Sequence, residues 1–421
     1  MRGLRSQTPG TVQGLTIILA GYLPILAIVS LFPAVGKIIG HFAPTEPLAS
    51  TLGPAMVTAP GFGIAIFALF AGILVDRFDR RSMLLAATFM FGAIGIAPIY
   101  LSDLETIYAS RLLLGLCEAA IIITVNSLVA DYWDNSARRR WLAIQGLVGP
   151  ALASLTILLA GLLAAQSWRS VFWLYMIAFP LLVAIWRFIF EPDCRRRASR
   201  DGNVPAASFP VSRIIALAGL NLFSSSIYFV FTVHGSIVWN EIGVADTAII
   251  GRFSFLPSLF VVAGAGLFWL LGTLGGTYRL QAAIFLGLHG IGLFLMGCAS
   301  APNGMVAGMI LQQTGAGMTL PTLIGWGLNI LPPTHRGRGV AVLTGAFFFG
   351  QFGSPFVVSL VKAHVSSMQE TFVMFGMVAL FGTAVLILSR RLKTNVYKCR
   401  IFSKFMRQAR RPKQLSAPSG T

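Results

Sequence analysis

Charge is what this 421-residue sequence has least of. Only 11% of its residues are Asp, Glu, Lys or Arg and 56% are apolar, whereas an average soluble protein carries about 25% charged residues. That composition excludes an ordinary soluble enzyme. Acidic residues are the scarcest, 14 against 32 Lys and Arg, which leaves a formal net charge of +18. Cysteine is nearly absent. Cys117, Cys194, Cys298 and Cys399 stand apart with no C-x-x-C spacing, so neither a disulfide framework nor a metal site follows from them. There is no G-x-x-x-x-G-K-[ST] phosphate loop, which argues against ATP-driven work by this chain alone. Gly61-x-Gly63 lies in an apolar run with no strand before it, so it is not a dinucleotide fingerprint. The clustered His, Asp and Glu that membrane enzymes hold at one membrane face are also missing. Neither a cofactor nor an enzymatic activity is expected.

What fills the chain is apolar sequence in long runs. Between polar breaks, candidate helices lie near residues 14–36, 50–75, 83–101, 106–130, 141–165 and 170–190, and again near 214–239, 248–272, 279–299, 304–331, 339–362 and 370–389. Twelve bilayer-crossing helices of about 20 residues would use roughly 240 residues, close to the apolar content. The expected fold is all-α and integral to the membrane. Six spans fall in residues 1–190, a basic linker in 191–213, six more spans in 214–389 and a basic tail in 390–421. The first run, from Gly14 to about Val35, is too long for the apolar region of a cleaved signal and is read as a span.

The cations test this layout, because Lys and Arg are retained on the cytoplasmic side of a membrane. Lys37, Arg111, Arg169, Arg252 and Lys362 apart, every Lys and Arg falls in a terminus or in the loops that share its side. One missed helix would scramble that alternation. Both termini are therefore expected in the cytoplasm, in a multi-pass protein of the inner (plasma) membrane. The charge of +18 is then topological and not a sign of nucleic-acid binding, for which the apolar runs leave no soluble module. The halves also echo each other. Ala137-Arg138-Arg139-Arg140 reads as a loop leading into a helix with Gly149-Pro150, and His335-Arg336-Gly337-Arg338 as one leading into a helix with Gly353-Ser354-Pro355. Duplicated halves are the pattern of transporters with a midplane site between two bundles.

After the second run comes Gly72-Ile73-Leu74-Val75-Asp76-Arg77-Phe78-Asp79-Arg80-Arg81-Ser82-Met83-Leu84. This resembles the signature loop of the major facilitator superfamily, G-x-L-x-D-R-x-G-R-[RK]-x-x-L. It matches at Gly72, Leu74, Asp76, Arg77, Arg80, Arg81 and Leu84 and departs at Asp79, where the family has Gly. The resemblance implies a transporter of twelve spans in two pseudo-repeated six-helix bundles. It also implies a conformational latch at Gly72, Asp76, Arg77, Arg80 and Arg81. A carboxylate at the end of one helix can cap the start of a neighbour and pair with the arginines. The bland alternative is a short loop whose cations serve topology alone.

The fourth run contains Arg111-Leu112-Leu113-Leu114-Gly115-Leu116-Cys117-Glu118, similar to the family's fourth-helix R-x-x-x-G pattern. At about 100° per residue Arg111, Gly115 and Glu118 share a face. Charges inside an apolar helix are costly and usually face a cavity. The two Cα atoms lie about 10 Å apart along the axis, too far for a direct pair. Glu118 is thus the candidate to take and release a proton, with Arg111 beside it; the alternative is a structural Glu bonded to a neighbouring helix.

The fifth run, Gln145-Gly146-Leu147-Val148-Gly149-Pro150-Ala151-Leu152-Ala153-Ser154, is similar to the family's G-x-x-x-G-P-x-x-G-G antiporter motif, matching outright at Gly149 and Pro150. Small residues permit close approach and Pro bends a helix, which suits a hinge; simple packing is the alternative. In the seventh run Asn221, Ser225, Tyr228 and Thr232 form a polar stripe. It could line a cavity and hold substrate, or could serve as helix glue. His234 points roughly opposite. His289 and the pair Gln312 and Gln313 are weaker cavity candidates. Trp168-Arg169-Ser170-Val171-Phe172 and Glu191-Pro192 resemble the entry and exit of the sixth helix in drug-efflux members, or else are interfacial anchors.

The reading is a proton-coupled secondary transporter that exports a small amphipathic drug or metabolite by alternating access. The alternative is a proton-coupled symporter importing a sugar, organic acid or metal-chelating metabolite. A membrane enzyme or scaffold without transport is the third possibility. Expected partners are a small-molecule substrate, protons and the bilayer, with the chain acting as a monomer.

Overall fold

The structure, a computed structural model, describes residues 9–77, 79–191, 209–332 and 335–388, with side chains described for all of these except residues 68–77, 135, 136 and 139. The linker at 192–208 and the tail at 389–421 lie outside the described residues. Among the described residues there is no strand. Twelve helical passes follow in order: α1 (Thr11–Phe42), α2 (Ala49–Arg77), α3 (Arg80–Ile96), α4 (Leu104–Tyr132), α5 (Asn135–Gln166), α6 (Trp168–Phe188), α7 (Val211–Glu241), α8 (Thr247–Thr273), α9 (Tyr278–Gly297), α10 (Pro302–Ile330), α11 (Arg336–Lys362) and α12 (Met368–Leu388). Among the described residues, eleven of these helices are long and apolar enough to cross a membrane. The twelfth, α10, has the length, 29 residues, but is broken up by Gln312, Gln313, Thr314, Thr319 and Thr322.

Several boundaries differ from those read in the sequence. The arginines at 138, 140, 336 and 338 lie inside the first turns of α5 and α11, and Arg80 and Arg81 open α3. Arg is a strong helix former, so these cations extend helices that the polar sequence suggested were loops. The backbone of Gly72 through Arg77 continues α2. Asp79 has φ −60° and ψ 129°, an extended conformation open to any residue, so this turn does not require the family's glycine. The side chains of Gly72, Asp76 and Arg77 lie outside the described residues.

Two bundles of six helices pack side by side with related internal contacts. In the first, α2 crosses α4 where Gly63 meets Gly115 backbone, and a Cβ on Gly115 would collide with the Pro60 carbonyl. In the second, α8 crosses α10 in the corresponding way, with Gly264 against Thr314 and Gly317 against Val261. Without water to expel, helices in lipid associate through such close packing. The large side chains Trp173, Trp186, Trp269 and Phe381 stay exposed, as suits surfaces that face hydrocarbon.

The scarce charges hold helix ends. A helix leaves its first four N–H and last four C=O groups unpaired. Glu191 accepts hydrogen bonds from the Arg80 and Arg81 amides at 3.0 and 2.8 Å at the start of α3. Glu241 accepts from the Met368 and Gln369 amides at 2.7 and 2.8 Å at the start of α12. Arg279 donates to Leu386 O and Ile387 O at the end of α12, and Lys37 Nζ donates to Ala164 O and Ala165 O at the end of α5. Asp103 caps α4, and the Thr106 hydroxyl and amide hold its carboxyl below the usual range.

Contacts between the bundles gather in the helix halves remote from the arginine-bearing face. There Phe62 of α2 packs on Phe352 of α11, ring centroids 4.9 Å apart, and Phe32 of α1 packs on Phe231 of α7 at 5.3 Å. Between α5 and α8, Ser154 Oγ donates to Phe255 O at 2.8 Å and Thr247 Oγ1 to Gly161 O at 3.1 Å. The molecule is thus closed at the end opposite Arg80, Arg138 and Arg336. At this seam a Cβ on Gly161 would lie 2.5 Å from Thr247 O and 2.9 Å from Gly251 Cα. Gly161→Val should therefore wedge the seam open. A cysteine placed at Ile157, buried beside it, should then react several-fold faster with a membrane-impermeant maleimide. An unchanged rate would show that the seam does not depend on this contact.

Candidate functional site

The site is built from the two charges inside α4. Arg111 and Glu118 are both 0% exposed, and they form no ion pair with each other. Arg111 is nevertheless well housed. Its Nη2 donates to Ile94 O at 3.0 Å and Gly95 O at 3.2 Å, in the last turn of α3. Its guanidinium carbon lies 5.2 Å from the Phe172 ring centroid and 5.1 Å from that of Tyr175, both on α6. A cation at a helix C-terminus complements the helix dipole, and aromatic faces attract a desolvated guanidinium. Tyr175 passes the contact on, its hydroxyl donating to Ala27 O of α1 at 3.2 Å. One side chain thus joins α3, α4 and α6, with α1 behind. Phe172 belongs to the Trp168-to-Phe172 segment noted in the sequence, so part of that segment forms the aromatic box around Arg111.

Glu118 is the opposite case. Neither carboxyl oxygen has a hydrogen-bond partner, and Arg111 Nη1 is also unpartnered. A buried acceptor without a donor costs roughly 1–3 kcal/mol, more when charged.

The polar residues of the second bundle divide into two groups. Asn221 and Ser225 are buried. Asn221 Nδ2 donates to Leu217 O of its own helix at 2.7 Å, and Ser225 Cβ stands where a Cβ on Gly350 of α11 would be 2.9 Å away. Ser225 belongs to the α7–α11 packing face, where Ser226 and Ser354 also bond across. Tyr228 and Gln312 come together instead, with Gln312 Nε2 donating to Tyr228 O at 3.1 Å. His289 joins them, its ring 5.7 Å from that of Tyr228. Thr232 is buried one turn further along α7. His234 is buried and faces its own backbone at Val230 O. Gly149 and Pro150 lie within α5, where a Cβ on Gly149 would meet only Ile25 of α1.

On the arginine-bearing face, Arg80 Nε pairs with Asp131 of α4 at 2.6 Å and Arg81 Nη2 donates to Trp186 O of α6 at 2.6 Å. These arginines tie helices within the first bundle. Two residues escaped the sequence reading. Asp131 sits at the end of α4 among other polar residues and gave no periodic signal. Gln351 of α11 is buried with both amide atoms unpartnered, against Gly61 of α2; its polarity within an apolar run was the available sign.

Paired bundles with glycine crossings and buried charge in α4 define a multi-pass membrane transporter. The model of the Major Facilitator Superfamily matches residues 15–277, and the chain belongs to that superfamily. Among its relatives is a gentisate transporter of Corynebacterium glutamicum, 23% identical over 82% of this chain and 80% of that protein. A quinolone resistance transporter of Acinetobacter baumannii is 21% identical over 76% of this chain and 80% of its own length. A 4-hydroxybenzoate transporter of Pseudomonas putida is 23% identical over 52% of each chain. The solved D-xylose-proton symporter has the same fold, with TM-score 0.72, 16% identity, and coverage of 89% of this chain and 96% of that one.

The housing of Arg111 and the isolation of Glu118 make opposite demands on stability. Arg111→Lys, which cannot reproduce the planar, stacked contact, should lower stability by about 1–3 kcal/mol. Glu118→Gln should stay within about 1 kcal/mol of the parent, since it removes no hydrogen bond. Thermal unfolding in detergent checks both, and equal losses would contradict this division.

Proposed function

We propose that this chain is a proton-coupled transporter that carries a small aromatic carboxylate into the cell by alternating access. The observation that carries it is Glu118, a carboxyl wholly buried in α4 with no hydrogen-bond partner. A group in that setting is suited to exchange a proton when the cavity faces one side or the other. The relatives that transport gentisate and 4-hydroxybenzoate support an organic acid over the amphipathic export substrate first expected. Entry of an anion is opposed by the inside-negative potential, about 2.3 kcal/mol per charge per 100 mV, and one co-transported proton cancels that term.

In this reading the arginine-bearing face and both termini are cytoplasmic, in the inner membrane, so the closed end is external and the state is inward-facing. Residues 1–190 and 214–389 are the moving bundles of a monomer, joined by the linker at 191–213. Gly72, Asp76, Arg77, Arg80 and Arg81 stabilise the outward-open state, Gly149 and Pro150 act as a hinge in α5, and Tyr228, Thr232 and Gln312 contact substrate, with Asn221 and Ser225 shaping the wall behind them.

A second reading, export of an amphipathic drug by antiport, is favoured by Gly149-Pro150 and by the relative named for quinolone resistance. Proteoliposomes separate the two. With 4-hydroxybenzoate outside and an inward proton gradient, the parent should accumulate the acid. Glu118→Gln should lose gradient-driven accumulation by tenfold or more yet retain exchange of internal for external acid. Full accumulation by Glu118→Gln would remove the coupling role. Quinolone efflux without uptake of the aromatic acid would establish the second reading.

A further inference from the structure

Two buried side chains of the second bundle have a hydrogen-bonding direction imposed by their neighbours. His289 Nε2 lies 3.0 Å from Thr319 Oγ1, and Thr319 donates its one hydroxyl proton to Gly315 O at 2.9 Å. The imidazole therefore donates through Nε2. That leaves Nδ1 as a lone-pair acceptor, and it has no partner. Gln312 directs its amide nitrogen to Tyr228 O, so its unpartnered Oε1 is an acceptor as well. Both residues are 0% exposed. They are brought together by close approach of α9 and α10. A Cβ on Gly292 would lie 2.8 Å from Gln312 N, and one on Gly315 would lie 3.3 Å from His289 Cε1. Tyr228, half-buried on α7, sets its ring against the imidazole. The cluster thus offers an aromatic face and two acceptors, with no donor of its own directed at them.

Buried acceptors lacking donors call for a ligand that brings donors. We propose that Tyr228, His289 and Gln312 read a ring hydroxyl of the transported acid, so that hydroxylated aromatic acids are selected over counterparts that lack the O–H. The phenolic O–H donates to His289 Nδ1 or Gln312 Oε1 while the ring lies against Tyr228. A site that hydrogen-bonds a hydroxyl discriminates against an analogue lacking it, because its own buried groups are then left unpaired. This inference rests on the aromatic-acid reading above.

The test uses the purified full-length chain and three probes: 4-hydroxybenzoate, 4-methoxybenzoate and benzoate. The parent should bind 4-hydroxybenzoate about tenfold more tightly than either of the others, the effect of one satisfied hydrogen bond. Gln312→Met and His289→Phe, which keep bulk and remove the acceptor, should each reduce that preference to threefold or less. A thermal-unfolding midpoint in detergent close to the parent's reports an intact fold for each variant. The parent's preference stands as a readout should either variant fail to fold. Equal binding of all three probes by the parent overturns this inference and leaves the aromatic-acid reading standing. A preference kept by both variants also overturns it, assigning the two acceptors to bound water. Binding of none of the three overturns the aromatic-acid reading and this inference with it.

Discussion

Arg111 sits where a helix runs out of hydrogen-bond partners, and much of the first bundle is arranged around that contact. In hydrocarbon, every backbone polar group must be satisfied from within the protein, and the last turn of a helix cannot do this alone. The guanidinium meets the carbonyls of Ile94 and Gly95 at the end of α3. At the other end of the same helix, Glu191 meets the first amides. The dipole of α3 is thus complemented at both termini. The second bundle treats α12 alike, with Glu241 at its start and Arg279 at its end. A sequence with so few charges uses them as helix caps, and that is why its helices can end at defined depths and turn back.

This use of charge gives Arg111 a structural task that its position in a span did not reveal. A lone Arg in an apolar helix points to a cavity, and the spacing from Glu118 rightly excluded a direct pair within one helix. Only the neighbouring helices show that its Nη2 is taken up by α3 and its faces by Phe172 and Tyr175. Glu118 has no such partners. The two residues share a helix face but differ in role: one holds the bundle together, the other is held within it.

The spans themselves were legible, because apolar runs of bilayer length with alternating basic loops leave few other layouts. Helix starts were less so. Arg138 and Arg336 read as loop because they are charged, yet they begin helices because Arg has high helix propensity. The polar stripe on α7 shows a further limit. Periodicity placed Asn221, Ser225, Tyr228 and Thr232 on one face, but a face spans enough arc to touch two neighbours. Ser225 meets Gly350 on α11, whereas Tyr228 meets Gln312 on α10 and His289 on α9. A single helix's pattern carries no information about which neighbour each turn will meet. Gln351 was lost for the same reason, since its setting is created by Gly61 on a helix nearly three hundred residues earlier in the chain.

The polar bonds at the closed end are of modest strength. Between α5 and α8 the polar contacts are two hydroxyls donating to backbone carbonyls, Ser154 to Phe255 and Thr247 to Gly161, each worth about 1 kcal/mol net. The aromatic contacts between α2 and α11 add apolar area without locking charge. The proposed alternating-access cycle needs two states of similar free energy, because a bound ligand shifts the balance only by its differential affinity. Arg111 on its carbonyls and Arg80 on Asp131 lie within the first bundle, where they join α3, α4 and α6. The seam is instead held largely by shape, with Gly161 packed on Gly251 and Gly61 on the backbone of Phe348.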